Sequence, residues 1–180
     1  MTEPNHPHST SEKLLKAYDL MMEKVHQALG ETDKDAMPRL RHAIEKAEEY
    51  AAEFGEVTRE EAEKIGTYLQ RDIEDAANYL AGPEGDELAD WLRFDIEQVE
   101  ERMLEAFLSV ADQTKIDMMR LEKDVFLPPT YHSGEITGIG TLECAHCGKH
   151  YHFKQTGHIP PCSCGNATFS RVSESGDSEE

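Results

Sequence analysis

The chain has 180 residues, room for one ordinary domain and a small one, and its 37 acidic against 18 basic side chains give a formal net charge of −19. So acidic a protein repels phosphate backbones at long range, which argues against a nucleic-acid partner and leaves a basic protein partner open. No apolar run approaches the about eighteen residues of a membrane helix, and the opening MTEPNHPHSTSEK has no basic region followed by an apolar one, so a soluble, cytoplasmic protein with no membrane association is expected.

The acidity is unevenly spread. Residues 1–130 carry a balance of −16, residues 131–172 a balance of +1, and residues 173–180 a further −4. This divides the chain into a polar segment 1–9, expected to be disordered, an acidic helical region 10–128, a near-neutral region 129–172 and a disordered acidic tail 173–180.

Ser9 and Glu12 form a capping box that should open the first helix, with Leu14, Leu15, Tyr18, Met21, Met22, Val25 and Leu29 on its apolar face and Gly30 at its end. Asp35 should cap a second helix that tolerates Pro38 in its first turn. Its seam of Met37, Leu40, Ile44, Ala47, Ala51 and Phe54 has coiled-coil-like spacing and stops at Gly55. Thr58 and Glu61 make another capping box, opening a third helix with Ala62, Ile65, Leu69, Ile73, Ala76 and Leu80 inward, ended by Gly82-Pro83. A fourth pattern runs from Asp86 to Phe126 and ends at Pro128-Pro129. Short connections make neighbours antiparallel, so the expected fold class is α+β: an elongated antiparallel helical bundle or coiled-coil hairpin, monomeric or completed as a homodimer, with a small β-domain at its C-terminal end.

That β-domain is read from the cysteines. All four lie in the last quarter of the chain, Cys144 and Cys147 as CxxC and, after fourteen intervening residues, Cys162 and Cys164 as CxC. Two close thiol pairs, each followed by glycine (Gly148, Gly165), suit a tetrahedral zinc site fed by two tight knuckles. Tyr151 and Phe153 alternate with His150, His152 and Lys154 between the pairs, as on a strand. The predicted element is a zinc-clamped β-hairpin, a zinc ribbon holding Zn2+ through Cys144, Cys147, Cys162 and Cys164. The second pair is one residue shorter than a CxxC. Side chains at i and i+2 of an extended segment point the same way, and Pro160 and Pro161 should hold the approach extended, so both thiolates can reach one metal; if Cys162 does not reach, His158 or a water takes its place. A disulfide is disfavoured, since a cytosolic chain would not keep one and pairs so close bridge poorly.

The block Tyr131-His132-Ser133-Gly134-Glu135, the run Gly138-Ile139-Gly140-Thr141-Leu142 and the Cys144-Ala145-His146-Cys147 knuckle together resemble the YbeL-like zinc-ribbon proteins of gammaproteobacteria. Weaker echoes are Thr58-Arg59-Glu60-Glu61, Arg71-Asp72-Ile73-Glu74 and Asp112-Gln113-Thr114-Lys115. The likeness covers about residues 55–172 and departs at the last knuckle, where the family's CPxCG appears as Cys162-Ser163-Cys164-Gly165. The resemblance implies an acidic helical region joined to a zinc ribbon, and implies no activity.

Other signals are read blandly. Tyr131, His132, Ser133 and Glu135 lack a nucleophile elbow and are expected to dock the ribbon on the end of the long fourth helix. Gly134, Gly138 and Gly140 lack the lysine-serine pair and following helix of a phosphate loop, and should serve turns and close backbone approach. Glu23 and His26 have ExxH spacing without the partners of a di-iron bundle. The helical carboxylates are expected mainly on outer faces. No complete acid, base and nucleophile set is visible. The expected function is therefore a non-enzymatic protein-interaction or regulatory module with structural zinc. The alternative is a redox protein with a rubredoxin-like iron or a zinc-thiolate sensor.

Overall fold

A computed structural model describes residues 7–30, 39–55, 57–81, 109–111 and 129–172. Three helices come first: α1 (Pro7–Gly30), α2 (Arg39–Phe54) and α3 (Arg59–Ala81). All three touch one another, and the stripes read from sequence meet at their centre. Tyr18, Met21, Met22, Val25 and Leu29 of α1, Ile44, Ala47 and Ala51 of α2, and Ala62, Ile65, Leu69 and Ile73 of α3 form one buried cluster. The alanines let α2 lie close to its neighbours, and the larger residues of α1 and α3 fill the space.

The cap of α3 forms as the sequence requires. Glu61 donates its backbone N–H to Thr58 Oγ1 (3.2 Å), and Thr58 donates its own to Glu61 Oε2 (2.7 Å), satisfying two orphan amides at once. Two expectations fail at helix ends. Helix α1 begins at Pro7, ahead of the Ser9 cap and inside the segment read as disordered. Phe54, read as the last residue of the α2 seam, is 65% exposed. It sits in the final turn, where Gly55 N–H bonds the Ala51 carbonyl and the chain turns away, and its ring lies 4.9 Å from Tyr50 instead of entering the core. The predicted fourth helix lies outside the described residues except at 109–111, which are helical and bury Val110 and Ala111 in the same cluster.

The C-terminal part is richer than the predicted hairpin. Strands β1 (Tyr131–His132), β6 (Thr168–Val172), β3 (Gly140–Cys144) and β4 (His150–Phe153) form one antiparallel sheet in that order. Strands β2 (Ile136–Thr137) and β5 (Gly157–His158) form a second, two-stranded sheet. The β4 alternation is as expected, with Tyr151 and Phe153 half-buried and His150 and His152 exposed. Its partner β3 lies where a strand between the glycines and the first knuckle was expected, whereas β6 shows no period strong enough to read. The helices followed by an antiparallel sheet carrying the cysteines make an α+β fold with a zinc-ribbon end.

Candidate metal centre

The two knuckles bring the cysteines together from opposite sides. The first leaves β3 at Cys144 and turns back into β4, with Gly148 N–H bonding the Cys144 carbonyl (3.0 Å) and Cys144 N–H bonding Lys149 O (2.9 Å). The second is a tight turn closed by Gly165 N–H on the Cys162 carbonyl (2.9 Å). Both glycines have positive φ, 70° at Gly148 and 87° at Gly165, which explains why each thiol pair is followed by the residue that adopts that backbone without strain. The extended geometry expected for CxC is therefore corrected: Cys162 and Cys164 flank a turn, and the turn converges their thiols.

The four Sγ atoms all lie within 4.8 Å of one another, with Cys144 to Cys164 at 3.6 Å and Cys147 to Cys162 at 3.5 Å. Thiolates about 2.3 Å from a tetrahedral ion sit roughly 3.8 Å apart, so the donor set and spacing fit zinc. Cys144 and Cys162 are buried in the ribbon core with Tyr131, Leu142, Ile159 and Phe169, while Cys147 and Cys164 face solvent. His158, the alternative fourth ligand, is not among the converging groups; it pairs with Ile136 in the β2–β5 sheet.

The surroundings divide the four thiols. The backbone N–H of Cys164 and then the Tyr151 hydroxyl bring the Cys162 thiol down to about 6, whereas at Cys164 the backbone N–H of Asn166 is outweighed by burial and the neighbouring cysteines, which push its thiol up to about 12. Asn166 also donates Nδ2 to Cys144 Sγ (3.5 Å) while holding Thr168 O (2.8 Å). Tyr151 is held in place by Ser163 N–H (3.3 Å) and lies under the Lys149 ammonium, 5.5 Å from the ring centre. Lys149 in turn bonds Ser163 Oγ (3.2 Å).

Residues 27–173 match a family described as a zinc-ribbon containing domain. The chain belongs to this family. It is also 27% identical over 144 residues to "Uncharacterized protein YbeL" of Escherichia coli, in strains K12, O6:H1 and O157:H7, covering 79% of this chain and 84% of each relative. No solved structure matches. The match begins at residue 27, well ahead of position 55 where the sequence likeness fades, so α2 and α3 belong to the family's domain as much as the ribbon does, while most of α1 precedes the match.

How the zinc-ribbon end is joined to those helices was not foreseen. Asp72 and Asp75 of α3, expected on an outer face, point inward, and Asp72 is fully buried. Asp72 Oδ2 accepts from the Tyr18 hydroxyl of α1 and from Gly138 N–H of the ribbon, each at 2.7 Å. Asp72 Oδ1 accepts from Arg71 Nε and Nη2 (both 3.2 Å), and Arg171 Nη2 of β6 stands 3.6 Å away. Arg171 spends its other donors on Tyr131 Oη (3.0 Å), Ile139 O (2.7 Å) and Thr137 Oγ1 (3.0 Å), and pairs with Asp75 (3.1 Å). The Tyr131 hydroxyl donates to Asp75 Oδ2 (2.7 Å), and the Arg71 guanidinium covers the Tyr131 ring at 3.9 Å. Arg71 also pairs with Glu135 and bonds the Ile136 carbonyl (2.9 Å). Burial pushes the Asp75 carboxyl and the Tyr18 and Tyr131 hydroxyls up. Burial pulls Arg71 down, but Asp72, Tyr131 and Glu135 outweigh it and hold the guanidinium charged.

Within the Tyr131–Glu135 block, Tyr131 and Glu135 dock the ribbon on the side of α3, while His132 is exposed and Ser133 bonds the Pro160 carbonyl within the ribbon; the end of the fourth helix, where docking was expected, lies outside the described residues. Gly138 serves close approach: a Cβ there would lie 2.9 Å from the Tyr18 hydroxyl. The Arg171 side chain is only 12% exposed at this junction. Sequence reasoning missed Tyr18, Asp72, Asp75 and Arg171 as one group; the sole trace was the Arg71-Asp72 echo within the family likeness. Among the described residues no helix is long and apolar enough to cross a membrane.

Proposed function

We propose that the chain is a non-enzymatic zinc protein in which Cys144, Cys147, Cys162 and Cys164 ligate one structural Zn2+, and the metal-held ribbon with its acidic helices forms a protein-interaction module. The convergence of four thiols on two glycine-closed knuckles carries this reading. Bound zinc would supply folding free energy to a small sheet that buries too little to persist alone. The chain's own contribution is to present the thiols, with Asn166 and Tyr151 supporting Cys144 and Cys162.

The charged side chains of the junction support a non-catalytic role. Arg71, Asp72, Asp75, Glu135 and Arg171 spend their hydrogen bonds on each other, on Tyr18 and Tyr131 and on backbone groups, as an interface does. A net charge of −19 disfavours nucleic acid and suits a basic protein surface as partner. Free thiols destined for a metal suit the cytoplasm. Elemental analysis of protein purified without chelators tests the metal: about one zinc per chain and a colourless solution are expected. A red, iron-containing protein would favour the redox alternative, and protein free of both metals would refute the assignment.

A further inference from the structure

The metal centre and the helix junction are two ends of one short sheet. In the β-ladder Phe169 of β6 stands between Cys144 of β3 and Tyr131 of β1, and Arg171 lies two residues further along the same strand, opposite Leu142. Residues at i and i+2 of a strand share a face, so Phe169 and Arg171 are fixed together. Among the described residues, Phe169, Tyr131, Cys144 and Cys162 belong to a single small core completed by Leu142 and Ile159, with Tyr151 and Phe153 packed half-buried against it. Tyr131 closes that core on one side and meets the helices on the other, through the Arg71 cation over its ring and its hydroxyl on Asp75. So small a core, with two ligand thiols among its members, has little to hold it once those thiols lose their ion. With it go the positions of Tyr131, Gly138 and Arg171, the ribbon's partners for Asp72 and Asp75.

Resting on the four-cysteine zinc reading, we propose that metal occupancy and docking of the ribbon on α1 and α3 form one coupled equilibrium. Loading the site locks the sheet onto the helices, and emptying it frees the sheet and bares the face of α3 around Asp72 and Asp75. The coupling is reciprocal, because whatever stabilises the docked state must tighten metal binding by the same factor. Residues of the helices that touch no cysteine therefore set zinc affinity. The polar junction suits release better than an apolar one would, since the carboxylates and guanidinia it bares are readily hydrated.

Zinc competition against a chelating indicator, on the full chain, tests this with three substitutions. Tyr18→Phe removes only the hydroxyl that donates to Asp72 and keeps the ring in the helical core. Asp72→Asn disturbs the centre of the junction. Thr67→Ala is the control, since its hydroxyl bonds Glu63 O on the exposed side of α3. Coupling predicts zinc affinity about fivefold weaker in Tyr18→Phe, weaker still in Asp72→Asn, and unchanged in Thr67→Ala. Hydrogen exchange on the wild type should show residues 131–140 and 68–77 losing protection together when zinc is withdrawn. Tyr18→Phe keeps the test decisive should Asp72→Asn fail to fold. Tight zinc binding that is equal in wild type and Tyr18→Phe, with α3 exchange indifferent to zinc, overturns the coupling and leaves the metal site standing. No zinc binding by the wild type overturns both.

Discussion

Replacing Asp72 by asparagine should be among the costliest single-atom-scale changes in this protein. Asp72 is fully buried and accepts from Tyr18, Gly138 and twice from Arg71. The cost does not come from charge balance. Arg71 and Arg171 would still face Asp75 and Glu135, two cations against two carboxylates. It comes from donors: an amide places N–H2 where one carboxylate oxygen stood, opposite either the Tyr18 hydroxyl and Gly138 N–H or the Arg71 guanidinium. Two buried donors left unmet cost about 1–3 kcal/mol each, so a loss of about 3 kcal/mol is expected. At roughly 2–4 °C per kcal/mol for a chain of this size, the melting midpoint should fall by about 10 °C in the metal-loaded protein. Tyr18→Phe, which removes one hydroxyl and strands one acceptor that keeps other partners, should cost about 1 kcal/mol. Calorimetry of both variants at saturating zinc is the assay. An Asp72→Asn midpoint within 2 °C of wild type would mean that water already reaches the carboxylate, and the closed junction described above would be wrong.

Two further substitutions probe the helices. Leu69→Ala, at a fully buried position of α3 in the three-helix core, should cost about 2–5 kcal/mol by urea unfolding, and a loss below 1 kcal/mol would place it outside the core. Glu48 is pushed up by partial burial and by the like charges of Glu63 and Glu45, so its ionisation penalises the folded state as pH rises through the carboxylate range. Glu48→Gln should therefore stabilise the protein at pH 7 by under 1 kcal/mol after solvent screening, with the gain vanishing below pH 4; equal stability at both pH values would contradict the like-charge account.

The helical core was legible because its residues repeat at a period that only one secondary structure satisfies. Ile65, Leu69 and Ile73, or Met21, Met22 and Val25, declare a face without needing any partner to be known. The ligand set was legible for a different reason: thiol pairs followed by glycine carry their geometry in a few residues, and Gly148 and Gly165 have the positive φ that the knuckles require. The junction was not legible, since burial of Asp72 and Asp75 depends on Arg171, about a hundred residues away, arriving opposite them on β6. A charged residue on a helix reads as solvated until its partner is placed, and no local pattern places one. Strand β6 was hidden likewise: its five residues gain their identity from lying between β1 and β3. The shape of the second knuckle turned on one hydrogen bond, Gly165 N–H to Cys162 O, which makes a turn of what spacing alone read as extended.

X-ray absorption at the zinc edge of the metal-loaded full chain reads the ligand set of the metal itself. Four thiolates should give a single shell of four sulfur scatterers at about 2.3 Å, lost in part on Cys162→Ser and untouched by His158→Ala. A first shell with nitrogen at about 2.0 Å that disappears in His158→Ala would contradict the four-cysteine site, and would make His158, not Cys162, the ligand that completes the site.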